Sequence, residues 1–294
     1  MKKYILLCLL MMGLWCSVMA QAPQKKDHST NPDMYYLNYE DVASSLNLLP
    51  PPPDAGSIQF LWDDAQYKKG KLIRSSARGE QAVKDANVGV IGDGFSDAFG
   101  CELSAENTPE IFKLINNMRE DAGDLATREA KNHYMRPRPY MFYAEDSSIP
   151  GEQKTLSTNG SYPSGHTAIG WATALVLAEI NVMNQDAILK RGYEMGQSRV
   201  ISGYHFQSDV DAGRLVSAAV VARLHANDAF NAQLAKAKAE FAELYKAGKI
   251  KDNRQRTTDN RLVLLSAMAK AMAMATLRVT TDSRLLSVVC SQLS

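Results

Sequence analysis

Thr167-Ala168-Ile169-Gly170-Trp171-Ala172-Thr173-Ala174-Leu175-Val176-Leu177-Ala178-Glu179-Ile180 reads as a helix that is apolar almost all the way round. Such a helix has hardly any face to give to water, so it belongs at the centre of a bundle. The chain on both sides of it also has helical spacing. Upstream, Ile111, Leu114, Ile115, Met118, Ala122 and Leu125 recur at three and four residues. They follow Thr108-Pro109-Glu110, which supplies a cap, a proline in the first turn and an acid at the positive end of the dipole. That helix is expected to run towards Lys131 and to stop near Pro137. Downstream, helices are expected over 186–200, broken near Ser202-Gly203, and over 205–226, with an amphipathic one over 233–246 closed by Gly248. Two further helices are expected over 63–72 and 76–87. The glycine-rich 89–100 and the polar 144–159 read as loops. No convincing alternating strand pattern occurs, so the fold class is all-α, a compact single-domain helical bundle.

The ends of the chain differ in character from this middle. Residues 1–20 read as a secretory signal, with Lys2-Lys3 at the basic end, an apolar run over 4–15 and a small-residue cleavage site at Val18-Met19-Ala20. The run is too short for a stable membrane span. Residues 21–34 are read as a flexible segment, 35–248 as the folded domain and 249–294 as a C-terminal extension. Four prolines, Pro50 to Pro53, follow Leu49 and read as an extended arm on the surface. In the extension, 262–279 is rich in Ala, Met and Leu and reads as a docked helix; Lys270 interrupts a run already too short to span a membrane.

Charge and cysteine content exclude several classes. The chain carries 33 Lys and Arg against 32 Asp and Glu, a net +1; removing the leader takes Lys2 and Lys3 and no acid, giving −1. That balance gives no electrostatic reason to expect nucleic acid or an anionic membrane as partner. Cleavage leaves Cys101 and Cys290, which leaves one bridge or two free thiols equally open, and no Cys/His spacing suggests zinc.

Three polar clusters lie beside the apolar helices. The first is Lys131 with Arg138-Pro139, the second Pro163-Ser164-Gly165-His166, and the third Ser198-Arg199 followed by His205 and Asp209. Ser164 stands where the central helix needs a cap, ahead of amides that have no internal partner, and Gly165 allows close approach to that backbone. His205 and Asp209 are four apart, which on a helix means one face, so the acid can hold one imidazole nitrogen and free the other as a nucleophile. Arg138 sits between two prolines, which suits a preorganised charge. Taken singly these are a capped helix, a surface His/Asp pair and solvated cations. Joint placement carries the functional reading. No further His or acid cluster completes a metal site, so no metal and no cofactor is expected.

The order Lys131, Arg138-Pro139, Pro163-Ser164-Gly165-His166, Ser198-Arg199, His205, Asp209 resembles the signature of the type 2 phosphatidic acid phosphatase superfamily, shared with vanadium haloperoxidases. Within it the chain is similar to the bacterial class A non-specific acid phosphatases. The likeness includes the proline arm, the run from Glu120 to Arg128, Gly160-Ser161-Tyr162 and Gly192-Tyr193-Glu194, and covers roughly 35–248. The resemblance implies a periplasmic, metal-independent hydrolase of phosphate monoesters that is inhibited by oxyanions such as vanadate, forms homo-oligomers and can pass phosphate to alcohols. It implies His205 as nucleophile, Asp209 as its orienter and His166 as acid and then base. Lys131, Arg138, Ser164, Gly165 and Arg199 are the implied phosphate holders. Pro137 and Tyr140 depart from it, standing where Ile-like and Phe residues are expected.

Two rivals remain at this level. A vanadate-dependent haloperoxidase would use the same pocket, and a periplasmic phosphate-binding protein would use the cations without needing both histidines.

Overall fold

The structure, a computed structural model, describes residues 26–253. In chain order the main helices are α1 (Ile58–Leu72), α2 (Ala77–Lys84), α3 (Ile91–Phe99), α4 (Pro109–Asn117), α5 (Arg128–Tyr134), α6 (Gly165–Ile180), α7 (Gln185–Ile201), α8 (Gln207–Leu224) and α9 (Asp228–Lys246). No strand occurs among the described residues, and the all-α expectation holds.

The apolar stretch 167–180 is α6, and it is the axis of the bundle. Along it Trp171, Leu175 and Glu179, one stripe at four-residue spacing, are partly exposed; the rest of that stretch is buried. Ile169, Val176, Leu177 and Ile180 are each at most 5% exposed, and burying side chains of this size contributes roughly 1.5–3 kcal/mol apiece. Helices α7 and α8 lie against α6. The contact with α7 is set by glycine: a Cβ at Gly192 would come within 2.4 Å of the Ala174 Cβ. On α8, a Cβ at Gly213 would meet the Ser164 carbonyl oxygen at 2.6 Å. That second close approach brings the starts of α6 and α8 together, where the polar clusters lie.

Three local expectations change. The glycine-rich 89–100 forms α3, because Gly92 is there for packing rather than turning: a Cβ on it would sit 2.4 Å from the Leu103 carbonyl oxygen. The long helix expected from Thr108 to Lys131 is broken into α4, a wide π-type turn over Asp121–Leu125, and α5. Two things favour the break. Asp121 is fully buried and accepts the backbone N–H groups of Tyr36 (2.9 Å) and Leu37 (3.1 Å), and Gly123 admits Ile169 of α6. Thr108 does not cap α4. Its hydroxyl pairs with the Ser104 backbone, and Glu240 of α9 accepts instead from the first-turn amides of Glu110 and Ile111, placing an anion at the positive end of the helix.

Elsewhere the reading and the structure meet. The arm packs through Tyr162, whose hydroxyl donates to the Pro50 carbonyl at 2.7 Å. Gly248 ends α9 with φ +68° while the Lys249 N–H returns to the Leu244 carbonyl. The segment 144–159 contains two short helical turns, Pro150–Glu152 and Gln153–Leu156, and contributes carbonyls to the site below. The segment 21–34, expected to be flexible, differs from that reading: from Asp27 onward it is hydrogen-bonded, with the His28 N–H donating to the Leu37 carbonyl. The leader, Cys290 and the helix read over 262–279 lie outside the described residues.

Candidate active site

The eight residues singled out in the sequence meet at one end of α6. Lys131 comes from α5, Arg138 from the chain just beyond it, Ser164, Gly165 and His166 from the start of α6, Arg199 from the end of α7, and His205 and Asp209 from the entry to α8. All except Gly165 and His166 are buried, and those two are partly exposed. The charges of Arg138 and Arg199 act at Lys131, His166 and His205 alike.

His205 is not on the helix with Asp209. It precedes α8, which begins at Gln207, so the four-residue spacing does not place the two on a helical face as expected. Asp209 instead caps the α8 entry, accepting the Phe206 N–H at 2.8 Å, and this fold-back carries its carboxylate towards the imidazole. His205 Nδ1 is 3.5 Å from Asp209 Oδ2, beyond a good hydrogen bond. The Ser161 hydroxyl bridges them, 3.2 Å from Nδ1 and 2.6 Å from Oδ2. On the other side of the ring, Nε2 lies 3.1 Å from Arg138 Nη1. A guanidinium only donates, so Nε2 must accept and Nδ1 must carry the hydrogen. The tautomer is thereby fixed with the lone pair on Nε2.

Behind Asp209 stands a chain of groups that the sequence did not reveal. Arg136 donates through Nη1 to Asp209 Oδ1 and through Nη2 to Asp63 Oδ2 at 2.8 Å, and its guanidinium lies 4.3 Å over the Phe206 ring. Asp63, from α1 and fully buried, also accepts the Ser208 N–H and hydroxyl. Asp63 and Arg136 are 73 residues apart, and nothing local marks them as partners. Only Arg136's position beside Pro137-Arg138 offered a hint.

The cations are held unequally. Lys131 donates to the Gly160 carbonyl (2.8 Å), and Arg138 Nε is shared between the Leu156 and Asn159 carbonyls. Arg199 is fully enclosed over the Tyr204 ring, 4.5 Å from its centroid, and none of its three side-chain nitrogens has a hydrogen-bond partner among the described residues. Burial, with Arg138 nearby, pushes its pKa down to about 10, which leaves it charged at neutral pH. Burial and then Arg138 also hold Lys131 well below its ordinary range. His205 is lowered by burial, then Arg138, Lys131 and Arg199; His166 by burial, then Arg199, His205 and Arg138. His166 Nε2 sits 3.1 Å from the Ala86 carbonyl.

The Ser164 hydroxyl accepts from the Thr167 N–H, as a cap should, and the Ser164 N–H donates to the Asp209 carbonyl at 2.9 Å. Of the departures from the expected pattern, Pro137 is exposed, while Tyr140 is buried with its ring against Tyr204 and its hydroxyl donating to the Gln153 carbonyl. No group of three or more His, Cys, Asp or Glu side chains suited to a metal ion occurs among the described residues. The arrangement can hold a tetrahedral oxyanion among three cations and present it to one fixed imidazole lone pair.

Residues 122–231 match the PAP2 superfamily. The chain is 59% identical over 232 residues to the non-specific acid phosphatase of Providencia stuartii, covering 78% of this chain and 94% of that one. It is 43% identical over 204 residues to the non-specific acid phosphatase of Salmonella typhimurium, covering 69% and 82%. An acid phosphatase of Zymomonas mobilis is 31% identical over 243 residues, covering 81% and 90%.

Proposed function

Given that this chain belongs to the PAP2 superfamily and, within it, to the bacterial class A non-specific acid phosphatases, we propose that it hydrolyses phosphate monoesters through a covalent phosphohistidine on His205. The observation that carries the reading is Arg199. A buried guanidinium without a partner is costly, by several kcal/mol, and a bound phosphate dianion supplies the missing acceptors and charge. Lys131, Arg138, Arg199, Ser164 and Gly165 are assigned to its non-bridging oxygens.

The chemistry follows in two balanced steps. In the first, the His205 Nε2 lone pair forms a bond to phosphorus while the ester P–O bond breaks. The departing oxygen keeps the electron pair and takes a proton from His166. In the second, water gives a proton to His166 as its oxygen bonds to phosphorus and the N–P bond breaks, releasing phosphate. Ser161 and Asp209 support the imidazole of His205 as it becomes positive, and Arg136 holds Asp209 in place. His166 has a lowered pKa in the free enzyme because burial disfavours its charged form and because Arg199, His205 and Arg138 oppose its proton. A bound dianion offsets those cations, so substrate itself favours the protonated acid. Other hydroxyl compounds that reach the phosphohistidine replace water, which accounts for transfer to alcohols.

The named relatives favour ester hydrolysis over halide oxidation in the same cradle. We place the enzyme in the periplasm after cleavage following Ala20, with 35–248 as its catalytic domain, acting without a metal and as a homo-oligomer. The test is His205→Ala. Turnover is expected to fall by at least about 10³-fold, with vanadate still binding, and the parent enzyme is expected to yield an acid-labile phosphoprotein on rapid quenching. Retained turnover in His205→Ala, or a phosphoprotein stable to acid, overturns the nucleophile.

A further inference from the structure

Ser198 belongs to the same cluster as Arg199, yet it touches none of the groups assigned to the phosphate. Its hydroxyl goes the other way, to Asp85 Oδ2 at 2.5 Å, and also lies 2.9 Å from the Glu194 carbonyl. Asp85 caps the end of α2 and is buried. Both its oxygens are occupied: Oδ1 accepts from Arg191 Nη2 and from Gln81 Nε2, and Oδ2 accepts from Arg191 Nη1 (3.0 Å) and Ser198. Burial raises its pKa, but the hydrogen bonds of Arg191, Ser198 and Gln81 outweigh that and hold the carboxyl below its ordinary value, so it stays ionised. This ion pair has two partners on α7 for a single anchor at the end of α2.

The residue after the anchor is Ala86, whose carbonyl lies 3.1 Å from His166 Nε2. A carbonyl only accepts, so Nε2 carries its hydrogen in both the neutral and the charged imidazole. The proton that comes and goes must then be the one on Nδ1. The carbonyl also favours the charged ring, opposing the pull of the surrounding cations. A backbone acceptor is only as fixed as the segment that bears it, and here that segment is the exit of α2, held by α7.

From this juxtaposition we propose that Asp85, gripped by Arg191 and Ser198, is a positioning residue for the proton-transfer step, fixing the Ala86 carbonyl that holds His166 with Nδ1 as its working nitrogen. One turn of α7 then serves both halves of the reaction, Arg199 for the anion and Ser198 for the acid. The proposal rests on the reading of His166 as general acid.

The experiment compares Asp85→Asn, Ser198→Ala and His166→Ala for the burst of alcohol release from two substrates, p-nitrophenyl phosphate and a simple alkyl phosphate, together with vanadate inhibition and the thermal midpoint. Weak leaving groups need the acid, and general-acid assistance contributes about 10²–10⁴-fold. Asp85→Asn is expected to slow the alkyl ester by ~10-fold or more while p-nitrophenyl phosphate changes little, with vanadate affinity held within about twofold. Ser198→Ala, the milder change, is expected to move in the same direction with a folded, stable protein; it serves as the test should Asp85→Asn fail to fold. Equal loss on both esters, or weakened vanadate binding at unaltered leaving-group dependence, overturns the clamp. If His166→Ala itself shows no preference between the esters, the acid reading fails. If His166→Ala shows it and neither Asp85→Asn nor Ser198→Ala does, the clamp alone fails.

Discussion

Two arginines are buried within the same end of this molecule, and each lies over an aromatic ring, Arg136 over Phe206 and Arg199 over Tyr204. Arg136 is bonded to two buried carboxylates, Asp63 and Asp209. Despite burial, the charge and hydrogen bonds of Asp209 and Asp63 hold its pKa above the ordinary value. Arg199 has no hydrogen-bond partner among the described residues, and burial, then Arg138, lowers its pKa. The same residue type, buried in both places, is thus a fixed part of the framework in one and, on the proposed reading, the recognition group for an anion in the other. Enclosure alone does not separate them; the count of acceptors does.

Replacing each by methionine sharpens the contrast. Arg199→Met is expected to lower kcat/KM by about 10²–10³-fold and to weaken vanadate inhibition in parallel, with a thermal midpoint equal to or above that of the parent. Arg136→Met is expected to destabilise the fold by about 3–5 kcal/mol, because it strands two buried carboxylates. Thermal unfolding with and without phosphate separates the two. A stability loss in Arg199→Met without added anion breaks the comparison.

A smaller effect is expected at the bridge that links the paired side to the chemistry. Ser161→Ala leaves Nδ1 of His205 facing a carboxylate oxygen 3.5 Å away; kcat is expected to fall about tenfold, with KM and the thermal midpoint little changed. Unchanged kcat would mean that Asp209 orients the ring directly.

The pH dependence follows from the burial of the two histidines and then from the cations around them, Arg138 and Arg199 included. Both histidines have folded pKa values below the ordinary 6.5, so the unfolded chain binds protons that the folded one refuses. Their contribution to stability is therefore complete above 6.5 and is lost as the pH falls below it. Without phosphate the thermal midpoint is expected to drop across that acidic window, and Arg199→Met or added phosphate is expected to flatten the drop. Imidazole NMR titration reads the same quantity directly. The smallest effect is expected at Tyr140, where Tyr140→Phe removes one hydrogen bond to the Gln153 carbonyl, worth about 0.5–1.5 kcal/mol, and changes kcat/KM no more than a few-fold.

How far the sequence discloses this arrangement depends on how local each cause is. The central helix is legible because 167–180 has almost no polar face. The three clusters are legible through their order and through the resemblance they carry. Asp63, Arg136, Asp85 and Arg191 are not, since each finds its ion-pair partner across 73 or more residues and little in its own neighbourhood marks it out. His205 and Asp209 were legible as a pair but for the wrong reason: they meet across a helix entrance with a serine between them, not along a helical face. Glycine misled at 89–100, where the lack of a side chain at Gly92 serves packing inside a helix and the freedom of Gly100, φ +98°, is used just past its end.

The unsatisfied guanidinium has one more consequence. On the proposed reading it recognises oxygens on phosphorus and says nothing of what the phosphorus is attached to, so free orthophosphate suits it as well as any ester. The enzyme would then be throttled by what it makes and released when that product is scarce, a feedback that needs no second site.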